Sequence, residues 1–379
     1  MTLTELKLLR GAHFEDGSLS FENGVFTDSY TGQSKSCGGL YAVPGYIDVH
    51  THGCIGYTFE TASVKHMIEM LRAYAAHGTL ALTPTIGTLP YSEMIGAAMR
   101  IAEAAKLAEN DNTCARVLGV HYEGRFLNPQ KAGAHPPELL VKPSPAEARE
   151  MAAAVRCFDK SLSVRFTIAP ELDGASEFIR TALLDNAYVS LGHTDADFAD
   201  AQAALGSGAV SFTHVYNAMR PMNHRTSSVL FSALTSGAYA EIISDGLHVI
   251  PEALKLFANS VPRERAIVIT DSVAAFAEGK TFDFMGRSVH FENGLAVNSD
   301  GTIAGGTLGI LEAVRRYSEY AEVPYAAAAM AASANPARML GLRAGSFDEG
   351  AHADFILLDA DFRPVHIYRG GEPIQPIQI

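Results

Sequence analysis

Eight short apolar runs recur along the middle of the chain, at residues 46–50, 79–86, 116–123, 163–170, 188–193, 210–214, 239–244 and 266–271. Each reads as a strand covered on both faces, the pattern of a parallel sheet buried under helices. The Ala-rich stretches between them fit helices over 64–77, 92–109, 146–158, 176–186, 196–205, 228–236 and 251–259, and a last helical group runs from 310 to 340. Eight alternating units predict a (β/α)8 TIM-type barrel. An open doubly wound sheet would show about six strands and a glycine-rich phosphate turn after the first, and neither a GxGxxG nor a GxxxxGK turn is present.

The two ends of the chain follow another rhythm. Residues 5–43 hold short alternating runs broken by Glu15-Asp16-Gly17 and Glu22-Asn23-Gly24, and strand-and-turn character returns from 345 to 373. These features predict small antiparallel strands. We expect 1–44 and 345–379 to pair into one small β-sandwich domain flanking a barrel of residues 45–344. Residues 281–306, with Asn293-Gly294 and Asp300-Gly301, predict a hairpin inserted after the eighth strand.

Composition narrows the partners. Of 379 residues 47% are hydrophobic, enough for a large core, yet the longest apolar runs fall well short of a membrane span. The opening MTLTELKLLRGAHF lacks a basic-then-apolar signal. A cytoplasmic protein with no membrane contact is expected. Cys37, Cys54, Cys114 and Cys157 form no CxxC pair and read as reduced thiols, of which only Cys54 stands close in sequence to a candidate metal ligand. A formal net charge of −13 argues against nucleic acid as a partner. An anionic small molecule would need a local cationic pocket.

Barrels of this kind place their chemistry at the C-terminal ends of the strands. There stand His50 and His52 (first strand), Glu123 (third), His193 (fifth), His214 (sixth) and Asp271 (eighth). Spacing i, i+2 aims His50 and His52 at one face of a strand. Imidazoles with one carboxylate suit a divalent ion such as Zn, Fe, Mn or Co, and a carboxylate left over suits a base. His121, two residues before Glu123, is expected to support the ligands by a hydrogen bond.

The stretches PGYIDVHTHG (44–53), GVHYEGRFLNPQKAGAH (119–135), SLGHTDADFADAQAAL (190–205), FTHVYNAM (212–219), SDGLHV (244–249) and VITDS (268–272) carry a resemblance. The chain resembles the N-acetylglucosamine-6-phosphate deacetylases of the amidohydrolase superfamily, nearly end to end. The resemblance implies that Glu123, His193 and His214 hold one metal. It implies a second beside His50 and His52, bridged through Glu123, hence one or two ions per subunit. It makes Asp271 the general base and acid and His248 the group that polarises the acetamide carbonyl. Ala134 and His135 become substrate contacts. The backbone N–H groups of Asn217 and Ala218, with Arg225, would hold a 6-phosphate, Arg225 reaching across a two-fold homodimer into its partner's site. Ala304, Gly305 and Gly306 would open a helix whose free N–H groups meet the sugar.

Several positions depart from the family. Arg125 stands where a proline is usual, Thr226-Ser227-Ser228 replaces a Pro-Gly turn, and the stretch SVAAFAEG after Asp271 and the turn at 305–310 are unusual. Arg125 would add a cation near the mouth, and the altered turns would line the sugar site. The expected activity is metal-dependent removal of the acetyl group from N-acetylglucosamine 6-phosphate. N-acetylgalactosamine 6-phosphate or an N-acyl amino acid are the alternative substrates, and a barrel serving only for assembly is the reading from a different class.

Overall fold

The computed structural model describes residues 1–28, 32–277 and 281–374. Residues 29–31 and 375–379 of the expected terminal domain, and Glu278 and Gly279 of the unusual stretch after Asp271, therefore lie outside the described residues.

The eight runs form eight barrel strands: β1 (Tyr46–Thr51), β2 (Thr79–Ile86), β3 (Gly119–Glu123), β4 (Ser163–Ile168), β5 (Ala187–Leu191), β6 (Ser211–Phe212), β7 (Tyr239–Ile243) and β8 (Ala266–Ile269). Each pairs in parallel with the next. The barrel closes where Thr51 bridges Ser272 and the Asp271 N–H donates to the His50 carbonyl. Every residue of β1 to β4 and β8 is buried, which is why these strands read as unbroken apolar runs. At the β3–β4 contact a side chain at Gly119 would meet the Ser163 carbonyl at 2.1 Å, so only glycine lets the two strands approach.

Strands β4 to β8 end one or two residues sooner than their runs, and β5, β6 and β8 do so just short of a site residue. His193, His214 and Asp271 take φ of 48°, 28° and 46°, and this left-handed backbone lifts them out of the ladders. The third run is interrupted instead at Leu118, so that Arg116–Val117 is a separate short strand on β2.

Both termini build one eight-stranded sheet. It is mixed rather than antiparallel throughout: Thr2–Arg10 runs parallel to Ser34–Ser36 and to Tyr41–Pro44, which in turn pairs antiparallel with Phe355–Leu358. Two strands separate Phe21 from Phe355 in this sheet, about 14 Å if it were flat. Their rings lie 5.5 Å apart, so the sheet folds over on itself and encloses its aromatic residues.

The insertion after β8 is larger than a hairpin. Phe282–Phe284, Arg287–Glu292, Leu295–Asn298 and Ile303–Gly305 make a four-stranded antiparallel sheet. It covers the C-terminal mouth of the barrel, the Phe284 ring standing 5.0 Å from that of His52. Among the described residues no helix is long and apolar enough to cross a membrane.

Candidate active site

The pleat of β1 turns His50 and His52 toward the same side, and Glu123 at the end of β3 faces them. Glu123 Oε2 lies 3.1 Å from His50 Nε2 and 3.0 Å from His52 Nε2. Its Oε1 lies 2.8 Å from His214 Nε2 and 3.4 Å from His193 Nε2. Asp271 Oδ1 completes the ring at 3.2 Å from His50 Nε2 and 3.4 Å from His52 Nε2. The left-handed backbone that delivers His193, His214 and Asp271 costs of order 1–3 kcal/mol per residue, the kind of strain found where a site must be held in place.

The donor set fits a divalent metal. Nδ1 of His50, His52 and His193 each faces an oxygen that can only accept: Glu241 Oε2 at 3.1 Å, Glu60 Oε1 at 3.0 Å and the Lys131 carbonyl at 2.8 Å. All three rings therefore carry hydrogen on Nδ1 and turn the Nε2 lone pair inward. His193 Nε2 and His214 Nε2 lie 3.1 Å apart, and His50 Nε2 is buried with no hydrogen-bond partner among the described residues. Lone pairs crowded around carboxylate oxygens in this way are relieved by a cation, and imidazole with carboxylate is the set that Zn, Fe, Mn or Co prefers.

His135 has the opposite polarity. The Thr88 N–H donates to its Nδ1 at 3.3 Å, so Nε2 carries the hydrogen and presents a donor to the cavity rather than a ligand. Burial and the neighbouring His193 push its pKa down to about 4. Burial by itself would raise the Glu123 and Asp271 carboxyls, yet the imidazoles around them, His50 foremost, hold both well below the usual range. For His248 burial works downward, but the hydrogen bond and charge of Asp245 prevail and raise it. Asp245 Oδ2 is 2.6 Å from His248 Nδ1, while its Oδ1 accepts the N–H groups of Leu247 and His248, each at 2.8 Å.

These groups open onto a cavity of about 380 Å³. The structure brings together on its wall His52, Glu123, His193, His214 and Asp271, with Ala134, His135, Asn217, Ala218, His248, Ala304 and Gly305; His50 stands behind them, fully buried.

Other expected site residues lie elsewhere. Ala304-Gly305-Gly306 does not open a helix: Ile303–Gly305 is a strand, and the next helix begins at Ile310. The Gly306 N–H is spent on the Asp271 carbonyl at 2.7 Å, so Gly306 buttresses the base instead of facing the cavity. Arg225 is exposed, with Nε 3.1 Å from His224 Nε2, and is not on the wall of its own chain's cavity. Arg125 adds no cation at the mouth, because Glu147 binds it at 2.6 Å and the Tyr91 ring lies 4.8 Å beneath its guanidinium. His121 reaches none of the ligands by a hydrogen bond; its partners are Thr85, Arg165 and Thr167, and it meets His50 edge to face. Cys54 turns away, its Sγ 3.7 Å from the Met70 carbonyl.

Glu60, Arg165, Glu241, Asp245, Phe284 and Met285 also shape the site and are not among the residues expected from the sequence. Arg165 and Glu241 are single charges inside the apolar runs SVRFTI and YAEII, a signal that was available. Phe284 and Met285 line the cavity from the inserted sheet, and no local pattern announces that.

A closed barrel with this cluster at its C-terminal mouth defines a hydrolase of the metal-dependent amidohydrolase class. The amidohydrolase family profile matches residues 41–377. The chain is 34% identical over 328 residues to N-acetylglucosamine-6-phosphate deacetylase of Bacillus subtilis (strain 168), covering 84% of this chain and 81% of that one. It is equally 34% identical to N-acetylgalactosamine-6-phosphate deacetylase of Escherichia coli O157:H7, covering 87% and 86%. Among solved structures, a mutant of N-acetyl-D-glucosamine-6-phosphate deacetylase from Mycobacterium smegmatis in complex with N-acetyl-D-glucosamine-6-phosphate superposes with a TM-score of 0.89 at 28% identity, covering 99% of each chain. The chain belongs to the amidohydrolase family, on the branch that these deacetylases form.

Proposed function

We propose that the protein hydrolyses the acetamide of N-acetylglucosamine 6-phosphate to glucosamine 6-phosphate and acetate. The observation that carries this reading is Asp271 standing within 3.4 Å of both β1 histidines at the floor of a cavity whose wall also holds His248, Asn217 and Ala218. In this reading Glu123, His193 and His214 would hold one divalent ion, and His50 and His52, with Glu123 beside them, would hold a second. Such an ion, when bound, supplies a Lewis acid and a water whose pKa is brought toward neutrality.

The chain's own groups do the rest. Asp271 takes a proton from the attacking water as oxygen adds to the acetamide carbon. His248, kept protonated by Asp245, donates Nδ1–H to that carboxylate and Nε2–H to the carbonyl oxygen, stabilising the charge that gathers there. When the C–N bond breaks, Asp271 returns the proton to the leaving amine. His135 donates from Nε2 to the sugar or its acetyl oxygen, and Ala134, Ala304 and Gly305 shape the wall. The N–H groups of Asn217 and Ala218 receive the phosphate, joined by Arg225 from the second subunit of a homodimer. That assignment agrees with Arg225 being exposed and off its own cavity.

We further propose the division of the chain into a small β domain (1–44 and 345–379) and a barrel (45–344). A cytoplasmic location fits the substrate, since a charged sugar phosphate does not cross the hydrocarbon of a bilayer. The test is acetate release from N-acetylglucosamine 6-phosphate, its galacto epimer and unphosphorylated N-acetylglucosamine. Faster turnover of the galacto epimer would favour the second reading, which the equal identity to the E. coli protein supports. No release from either phosphate would refute both.

A further inference from the structure

Two buried carboxylates that line no part of the cavity are aimed at the two β1 histidines. Glu60, just past the strand Tyr57–Thr58, sets Oε1 3.0 Å from His52 Nδ1 and accepts the Gly87 N–H at 2.9 Å. Glu241, within β7, sets Oε2 3.1 Å from His50 Nδ1. Their relative exposures are 2% and 0%. The other pair is treated differently: His193 Nδ1 meets a neutral backbone carbonyl, and His214 Nδ1 has no partner among the described residues. Of these four imidazoles, only His50 and His52 are backed by anions among the described residues, and such anions orient an imidazole and strengthen Nε2 as a donor to metal.

The two backing groups are themselves unequal. Glu241 shares its charge with the buried guanidinium of Arg165. Glu60 forms no ion pair with a lysine or arginine among the described residues, and its Oε2 is buried without a partner. A carboxylate so placed is costly, and is retained where some other charge answers it. We infer that Glu60 and Glu241 are positioning residues for the second ion that His50 and His52 would hold in the proposed function, and that Glu60 contributes more of that ion's affinity than Glu241. The inference rests on reading His50 and His52 as ligands.

The full-length protein is stripped of metal and titrated with Co²⁺, followed by visible absorption and calorimetry. Wild type is expected to take two ions per chain. Glu60→Gln, which keeps the side chain's shape, should bind the first ion unchanged and the second about 10- to 100-fold more weakly. Glu241→Gln should weaken the second ion by less. Melting of the metal-free variants separates this from general damage, since a purely structural defect would weaken both ions together. If Glu241→Gln fails to fold, because Arg165 is left unpaired, Glu60→Gln carries the test alone. One Co²⁺ per wild-type chain, wild-type filling of both positions by Glu60→Gln, or equal weakening of both ions would overturn the inference. Acetate release is assayed separately on the loaded wild type, so failure of the deacetylase reading and failure of this one are told apart.

Discussion

His50 Nε2 and Asp271 Oδ1 lie 3.2 Å apart across the seam where β8 meets β1, and the Asp271 N–H donates to the His50 carbonyl at 2.9 Å. The hydrogen bond that closes the barrel is thus the one that fixes the proposed base against the proposed ligands. Gly306 holds the other side of Asp271, its N–H on the Asp271 carbonyl, and a side chain at Gly306 would meet the Thr270 carbonyl at 2.5 Å.

Replacing the base tests this arrangement first. Asp271→Asn should keep its metal and lose roughly 10² to 10⁴ in kcat, because an amide can neither take nor return the proton. A kcat near that of wild type, with metal content measured on the same sample, would remove Asp271 from the reaction.

Five imidazoles stand within 3.8 Å of the two Glu123 oxygens, whereas His52 turns only Nε2 to Glu123 and Asp271, at one edge of the cluster, and gives Nδ1 to Glu60. Glu123→Gln should therefore lower metal content more than His52→Asn does. Elemental analysis after dialysis against a chelator gives the comparison, and equal losses would contradict the ranking.

Asp245 holds His248 from behind and favours its protonated form, leaving Nε2–H to donate to the substrate. His248→Ala should cost about 10² to 10³ in kcat, the worth of one donor to a developing oxyanion. Asp245→Asn should cost less in kcat than His248→Ala, since the ring remains but is less firmly held. A loss confined to KM would place His248 in ground-state binding instead.

Arg225 is tested by mixing subunits. An Asp271→Asn subunit combined with an Arg225→Ala subunit should recover about a quarter of wild-type activity after random reassortment, since one site of each mixed dimer carries neither defect. Recovery no greater than the sum of the two parent mutants, with exchange confirmed, would show that Arg225 acts within its own subunit or not at all.

Arg125 should behave as a scaffold residue. Its bond to Glu147 and its place over Tyr91 predict that Arg125→Ala lowers stability by about 1–3 kcal/mol, the worth of a hydrogen bond to a charged group, while leaving KM for the sugar phosphate unchanged. A large rise in KM with normal melting would return Arg125 to the mouth of the site.

The barrel was legible because its strands are buried on both faces and so write themselves as apolar runs, and His50 and His52 because strand geometry turns positions two apart the same way. The run ends were legible as chemistry but not as conformation: nothing local in the sequence announces that His193, His214 and Asp271 leave their strands by a left-handed backbone. Arg125 was misread because its partner, Glu147, sits in the first turn of the following helix, a contact that sequence distance conceals. Glu60 lies in a turn with no periodic pattern, so its approach to His52 is a product of tertiary packing alone. The inserted sheet was legible only as a hairpin, because its turns mark the strand ends but not the number of strands, and its docking over the mouth depends on where Phe284 lands.

The terminal sheet bears on how the protein is made. Pro44 is the ladder partner of Phe355, and the Phe21 ring lies 5.5 Å from that same ring, so although the N-terminal strands can pair with one another, one edge of Tyr41–Pro44 and the Phe21 face stay uncovered until the C-terminal strands are present. At about 5–20 residues per second, the separation of 311 positions from Pro44 to Phe355 (355 − 44) keeps that edge and that face waiting for roughly 15 to 60 s. Through that interval an unpaired edge and the aromatic face of Phe21 and Phe26 stand open to other chains, and an expression host short of holding chaperones would lose protein at this stage, before the barrel's chemistry is ever assembled.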